Sequence, residues 1–323
     1  MSVRAAKLVY MQFFVPKYVS SVTYDFGTPI SVSYIVNTKT HFFILLDGIS
    51  SDLWYIILNA ENDIEIEKFV KINSLTNEFD DFICQLNEVG LLDNKNILKN
   101  SNDKLPLIVE NSNYEEVERF ETDLDKFQID NKILGNLFFE LTHKCNLNCI
   151  HCFQSDHNDD TELKFEKIKE IIDEAIPRGL FTVTLSGGEC TLNKDFFKIA
   201  KYIREKRLRL CLITNGQVLN DNPTLFNELV NLYPQKISLS LYGITPDTHD
   251  KITQVKGSFN KTINVINKLK ASNIYVQIKY FILNNNIHEF KQVLDYGKEN
   301  KISIQYSAHL INNFSNNNAK LKL

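Results

Sequence analysis

Apolar positions divide the chain into two regions of different texture. Up to about residue 92, β-rich runs at residues 7–14, 30–36 and 41–46 come first, and helical spacing follows. Asp47 and Gly48 form a turn signal, and Ser50, Ser51 and Asp52 offer caps to a helix carrying Leu53, Trp54, Ile56 and Ile57. Phe79, Phe82, Ile83, Leu86 and Val89 then share one helical face, which Gly90 ends. Three strands and three short helices predict a small winged-helix-like α+β domain over residues 1–95. Residues 96–133 are rich in Asn, Asp, Glu and Lys and read as a linker, with one short helix at 114–120.

From Leu134 the pattern alternates between strand and helix. Strands are predicted at 137–141, 181–185, 208–213, 237–242, 274–282 and 302–306. Between them lie helical faces such as Phe165, Ile168, Ile172 and Ala175, or Phe196, Ile199, Ala200 and Ile203. Pro223 opens one helix, Ser258 caps another, and 287–296 forms the last. Repeated βα units imply a parallel sheet. Six units are too few to close an eight-stranded ring, so the fold class is α/β: a partial (β/α)6 TIM-like barrel over residues 134–310. Chemistry in such sheets gathers at the carboxyl ends of the strands. Residues 311–323, dominated by Asn, read as a disordered tail, and the ending is abrupt enough to be that of a fragment.

Composition narrows the function classes. A net charge of -4 with no basic face gives no sign of a nucleic-acid partner. No apolar run reaches the ~20 residues of a membrane helix, and the N-terminus lacks a signal-peptide core, so no membrane is expected and the protein is placed in the cytoplasm. Thiols stay reduced there, and three of the six cysteines crowd into eight residues: Cys145, Cys149 and Cys152. Clustered thiols in a reducing compartment point to a metal or to redox chemistry. Three soft donors in one loop suit an iron–sulfur cluster with one iron left open. Zinc with His143 or His151 as fourth ligand remains an alternative.

The CxxxCxxC loop after a first strand resembles that of the radical S-adenosylmethionine (SAM) superfamily, and the resemblance extends from residue 134 to about 306. It implies a [4Fe–4S] cluster on Cys145, Cys149 and Cys152. It further implies that S-adenosylmethionine binds the open iron and is cleaved reductively to a 5'-deoxyadenosyl radical that abstracts a substrate hydrogen. Gly187-Gly188-Glu189, after the second strand, resembles the family segment that binds the methionine amino group, although Cys190 stands where most members have Pro. Asn215 in Thr214-Asn215-Gly216 resembles a cofactor-lining turn. Ser240 is placed to bond the ribose or carboxylate, Lys279 to pair with the carboxylate, and His151 to lie near adenine. Cys190 is a candidate hydrogen-atom donor to a substrate radical, weighed against simple packing.

The first 92 residues resemble, through Phe42 to Trp54 and Leu86 to Leu92, the precursor-peptide recognition domain of ribosomal peptide modification. Tyr242-Gly243 through Asp250 and Gly257-Ser258-Phe259 resemble a stretch of radical SAM peptide maturases. The resemblance implies a ribosomally made precursor peptide whose leader binds residues 1–95, an electron donor such as flavodoxin or ferredoxin, and a thioether link, a carbon–carbon link or an epimerised residue as product. No cysteine follows Cys211, so an auxiliary-cluster extension is not expected in this chain. A small-molecule substrate with a structural N-terminal domain, a non-catalytic peptide-binding scaffold and a zinc regulator are the alternatives. A DNA-reading helix would be basic, and the candidate helices here are not.

Overall fold

The computed structural model describes residues 15–25, 31–60, 62–92, 114–153 and 160–309. They fall into two compact units, one within residues 1–111 and one within residues 112–323.

In the first unit, β1 (Val19–Asp25), β2 (Ser31–Asn37) and β3 (Phe42–Asp47) form an antiparallel sheet in that order, with Tyr24 opposite Val32 and Ile35 opposite Ile44. The helices α1 (Gly48–Asn59), α2 (Asp63–Ile72) and α3 (Thr76–Glu88) follow. Strand β1 was not anticipated, because serines and a threonine interrupt its apolar positions. The strand expected at 7–14 lies outside the described residues. Trp54 is fully buried with Ile35, Leu53, Ile83 and Leu86. Each such side chain contributes about 1.5–3 kcal/mol on leaving water. Ser51 and Asp52 do not cap α1. The Ser51 hydroxyl is 2.7 Å from that of Ser33, and Asp52 accepts a 2.5 Å bond from Ser31, so both tie α1 to β2.

The second unit opens with α4 (Tyr114–Asp130), a correction to the linker reading of residues 96–133 and to its short helix. Its many carboxylates suggested a solvated connector, yet Val117, Phe120, Leu124 and Gln128 are buried. The six strands are β4 (Asn136–Glu140), β5 (Thr182–Ser186), β6 (Arg209–Thr214), β7 (Lys236–Ser240), β8 (Val276–Phe281) and β9 (Ser303–Ser307). They lie side by side in chain order, every neighbouring pair parallel, as an open barrel requires. Helices α5 (Phe165–Ala175), α6 (Phe196–Glu205), α7 (Gln217–Asp221), α8 (Pro223–Val230), α9 (Pro246–Thr253), α10 (Ser258–Ala271) and α11 (Phe290–Asn300) fill the connections. Leu185, Leu212, Leu239 and Ile278 are fully buried in one core with Ile172, Ile199 and Ile266 of the helices.

Helix α4 fastens the amino ends of the strands. Glu121 bonds Arg209 at the start of β6 and Lys236 at the start of β7, each at 2.5 Å, and Glu118 accepts from Ser303 at the start of β9. Burial alone would raise the Glu121 pKa, but the two cations outweigh it and hold the carboxyl below its usual range. The opposite, carboxyl end of the sheet is left open.

Candidate active site

A cavity of about 470 Å³ lies at the carboxyl ends of the strands, within the ~300–1,000 Å³ of small-molecule pockets. The loop after β4 contributes Cys145, Cys149, His151, Cys152 and Phe153. The end of β5 contributes Ser186, Gly187 and Gly188, and that of β6 contributes Thr214 and Asn215. Ser240 and Tyr242 come from β7 and its exit, and Lys279 and Phe281 from β8. All the residues proposed from the sequence therefore face one space, with two exceptions, Glu189 and Cys190. Gln305, Tyr306, Ser307 and His309 of β9 and its exit also line the cavity. They were missed, although the strand-end rule alone would have flagged them.

The cysteine loop is held from several sides. The Gly188 N–H donates to Thr142 O at 2.7 Å and the Glu189 N–H to Lys144 O at 2.8 Å. A side chain at Gly188 would put its Cβ 2.3 Å from Lys144 O and 2.5 Å from His143 O. Gly187 has φ +137 and would meet Thr142 O at 2.5 Å. The two glycines thus let the exit of β5 press against the start of the cysteine loop. The Asn215 side-chain amide donates to Asn146 Oδ1 at 2.7 Å, in the same loop.

Glu189, grouped with the cofactor-binding residues, does not line the cavity: its carboxylate is 1% exposed and is bonded within the protein. Oε1 accepts from the Thr191 N–H (3.2 Å), the Thr191 hydroxyl (2.6 Å) and the Thr214 hydroxyl (2.7 Å), and Oε2 accepts from the Asn215 N–H (2.8 Å). It joins the exit of β5 to the exit of β6 beneath the cavity wall. Cys190 also turns away. It is fully buried, and its Sγ contacts Ile213 O at 3.4 Å. Burial pushes its thiol well above the usual range. A hydrogen donor must meet the substrate in the cavity, so Cys190 is assigned to packing, the small-hydrophobe role that buried cysteines usually fill.

Burial also raises the thiols of the cysteine loop, Cys145 to about 11 and Cys149 further still, with the Glu189 carboxylate adding to it at Cys145 and the neighbouring cysteines at both. N–H contacts from Leu147 and Asn215 oppose the rise at Cys145. Thiolates here would need an added positive charge, which a bound metal cluster would supply. Among the described residues no carboxylate lines the cavity, and the donors present are soft sulfurs suited to an iron–sulfur cluster. No three His, Cys, Asp or Glu side chains among the described residues converge on a single ion. The residues fit a cluster with room beside it for a second ligand.

His151 is buried, its ring 4.4 Å from Tyr242 and 5.4 Å from Phe281. Burial lowers its pKa to about 4, so the imidazole is neutral at pH 7. Lys279, in register with Ser240 on β7 and Gln305 on β9, is lowered by burial and then by Lys236. With no carboxylate in the wall, its ammonium is the natural counter-charge for an anionic ligand.

The comparison with known proteins agrees with this geometry. Residues 139–297 match the model of the Radical SAM superfamily. They form a radical SAM domain. The chain is similar to the AdoMet-dependent heme synthase of Methanosarcina barkeri, 33% identical over 163 residues, covering 50% of this chain and 46% of that protein. It is also similar to the antilisterial bacteriocin subtilosin biosynthesis protein AlbA of Bacillus subtilis, 31% identical over 154 residues, covering 47% of this chain and 34% of that one. The chain thus spans less than half the length of either relative. Among solved structures, Streptococcus suis SuiB bound to precursor peptide SuiA aligns over 91% of this chain and 63% of its own, with a TM-score of 0.52 and 17% identity, a likeness of fold. The radical SAM family implies S-adenosylmethionine and an iron–sulfur cluster. Among the described residues no helix is long and apolar enough to cross a membrane.

Proposed function

We propose that this chain is a radical SAM enzyme that modifies a ribosomally made precursor peptide. The observation that carries the reading is the order of parts. A unit of three antiparallel strands and three helices precedes the radical SAM domain, and the SuiB alignment extends over 91% of the chain. Strand β3 pairs on one side only among the described residues and exposes Leu45. A leader peptide can add there as a further strand, its backbone supplying affinity and side-chain pockets supplying choice. SuiB bound a precursor peptide, and AlbA serves bacteriocin biosynthesis, which favours the same class of substrate here.

In this reading Cys145, Cys149 and Cys152 hold the cluster, leaving room for S-adenosylmethionine. When bound, the pair supplies one-electron cleavage of a sulfonium and hence hydrogen-atom abstraction from the substrate. Gly187 and Gly188 let the backbone approach the methionine end, and Asn215 and Ser240 offer hydrogen bonds. Lys279 would offer its ammonium to the carboxylate, and His151 and Tyr242 would offer ring surface to the adenine. Phe281, Tyr306 and Phe153 give the cavity an apolar wall. The electron comes from a protein donor of the flavodoxin or ferredoxin class. The product is a thioether link, a carbon–carbon link or an epimerised residue. A small-molecule substrate is the second reading, favoured by the heme synthase similarity.

The test is anaerobic loading of the full chain with iron and sulfide, then S-adenosylmethionine, a reductant and a synthetic peptide from a short reading frame beside the gene. Formation of 5'-deoxyadenosine with a mass change in the peptide is expected, and Cys149→Ala should abolish both. Cluster uptake without 5'-deoxyadenosine would leave a non-catalytic scaffold. Cofactor cleavage with no peptide bound would favour the small-molecule reading.

A further inference from the structure

The three cysteines sit on a loop whose backbone is borrowed from elsewhere. Between them, the Asn148 N–H donates to Thr253 O at 3.1 Å and the Ile150 N–H to Ile252 O at 2.9 Å. Those carbonyls end α9, a helix of 8 residues. So short a helix is unstable alone in water, so what fastens α9 also fastens the loop.

Two carboxylate junctions do this, one half-buried at Asp250 and one buried at Glu289. At the end of α9, Asp250 accepts from the Gly257 N–H (2.6 Å), the Ser258 hydroxyl (2.9 Å) and the Phe259 N–H (2.8 Å), and locks it to the start of α10. At its beginning stands Glu289, delivered by the turn after β8 and 5% exposed. Its Oε1 accepts from the hydroxyls of Thr245 and Thr248, each at 2.6 Å. Its Oε2 accepts from the Ile244 N–H at 2.6 Å and the Thr245 N–H at 3.3 Å. A Cβ at Gly243 would lie 2.8 Å from that oxygen, so the glycine is what lets the carboxylate in. The same turn holds the cavity wall, since the Tyr242 N–H donates to His249 Nδ1 at 3.1 Å, inside α9.

We propose that Glu289 is a positioning residue for the cluster. It touches neither cysteine nor cavity, but through α9 it sets where the backbone between Cys145 and Cys152 lies. Its four donors come from residues about forty positions earlier in the chain, so the junction exists only when β7 and β8 have been brought side by side. Removing the carboxylate frees the start of α9, and the two backbone bonds to the cysteine loop weaken with it.

The buried cysteines elsewhere in the domain provide an internal control. Cys190 and Cys211 report global opening, and Cys145 and Cys149 report the loop. The experiment is alkylation of the metal-free full chain with iodoacetamide, followed cysteine by cysteine by mass spectrometry, in wild type, Glu289→Gln, Glu289→Ala and Thr248→Val. Local opening should raise the Cys145 and Cys149 rates at least about fivefold in the Glu289 variants, with Cys190 and Cys211 within about twofold of wild type. Thr248→Val, which removes one hydroxyl and keeps the side-chain shape, should show the same pattern more weakly, and it serves if Glu289→Ala does not fold. The proposal is overturned if Cys145 and Cys149 keep wild-type rates in all variants, or rise only in step with Cys190 and Cys211. A second readout is the rate at which EDTA bleaches the loaded cluster, expected to be faster in Glu289→Gln. The proposal rests on the cluster reading for this readout alone. A wild type that takes up no iron refutes that reading, while the alkylation pattern still decides the role of Glu289.

Discussion

Substituting Glu189 by Gln separates two roles that the residue has been offered. The carboxylate is 1% exposed and accepts five bonds, four at Oε1 from Thr191, Thr214 and the Cys190 thiol and one at Oε2 from Asn215. Glutamine has the same size but only one accepting oxygen. Turned one way, its NH2 faces the Asn215 N–H; turned the other, it faces the Thr191 N–H and two hydroxyls. The hydroxyls can rotate and accept, but a backbone N–H cannot, so at least one buried donor loses its acceptor. That costs about 1–3 kcal/mol, and the loss of charge assistance on the surviving bonds adds to it. A total near 2–3 kcal/mol corresponds to a fall of about 4–12 °C in the melting point of a domain this size. The assay is thermal unfolding of the metal-free chain, in which two units need not melt together. The single tryptophan, Trp54, is in the other unit. Its fluorescence transition should therefore stay in place while the far-ultraviolet dichroism transition of the barrel moves. An unmoved barrel transition together with weakened S-adenosylmethionine binding would refute the reasoning and return Glu189 to the ligand.

Three further outcomes follow from the same site. Gly188→Ala forces a Cβ within 2.5 Å of two backbone carbonyls; neither can retreat, so the barrel should lose stability by about 3 kcal/mol or more and iron uptake should fail, as read by melting and metal analysis. Cys190→Ala should cost about 1–2 kcal/mol for a small cavity and leave 5'-deoxyadenosine formation intact, whereas a hydrogen donor would lose peptide product. The Cys145 thiol has a folded pKa raised from 9.0 to about 11; the folded state therefore keeps its proton where the unfolded state loses it, and the metal-free domain should lose stability as pH rises from 9 to 11. Urea midpoints across that window check this, and Cys145→Ser should remove part of the slope.

The cysteine spacing, the glycine pair after the second strand and the six βα units are local patterns, and they were legible without coordinates. Ser240 and Lys279 were legible for the same reason: a strand alternates its faces, and the carboxyl end of a parallel sheet carries the chemistry. The failures share a different cause. Gly187 adopts φ +137, and no periodicity survives such a turn, so the directions of Glu189 and Cys190 just beyond it were not readable. Helix α4 looked like a solvated linker because the cations of its half-buried Glu121, Arg209 and Lys236, come about ninety residues or more later in the chain. Glu289 had no local signal at all, since its donors sit on another βα unit.

The sequence by itself determined which sulfur ligands share a loop and which strands run parallel, because both depend on spacing of a few residues. Tertiary structure alone decided that the Glu189 and Glu289 carboxylates lie behind the cavity wall rather than in it. A buried carboxylate goes where enough donors converge, and convergence here is made by strands that meet only after the barrel has formed.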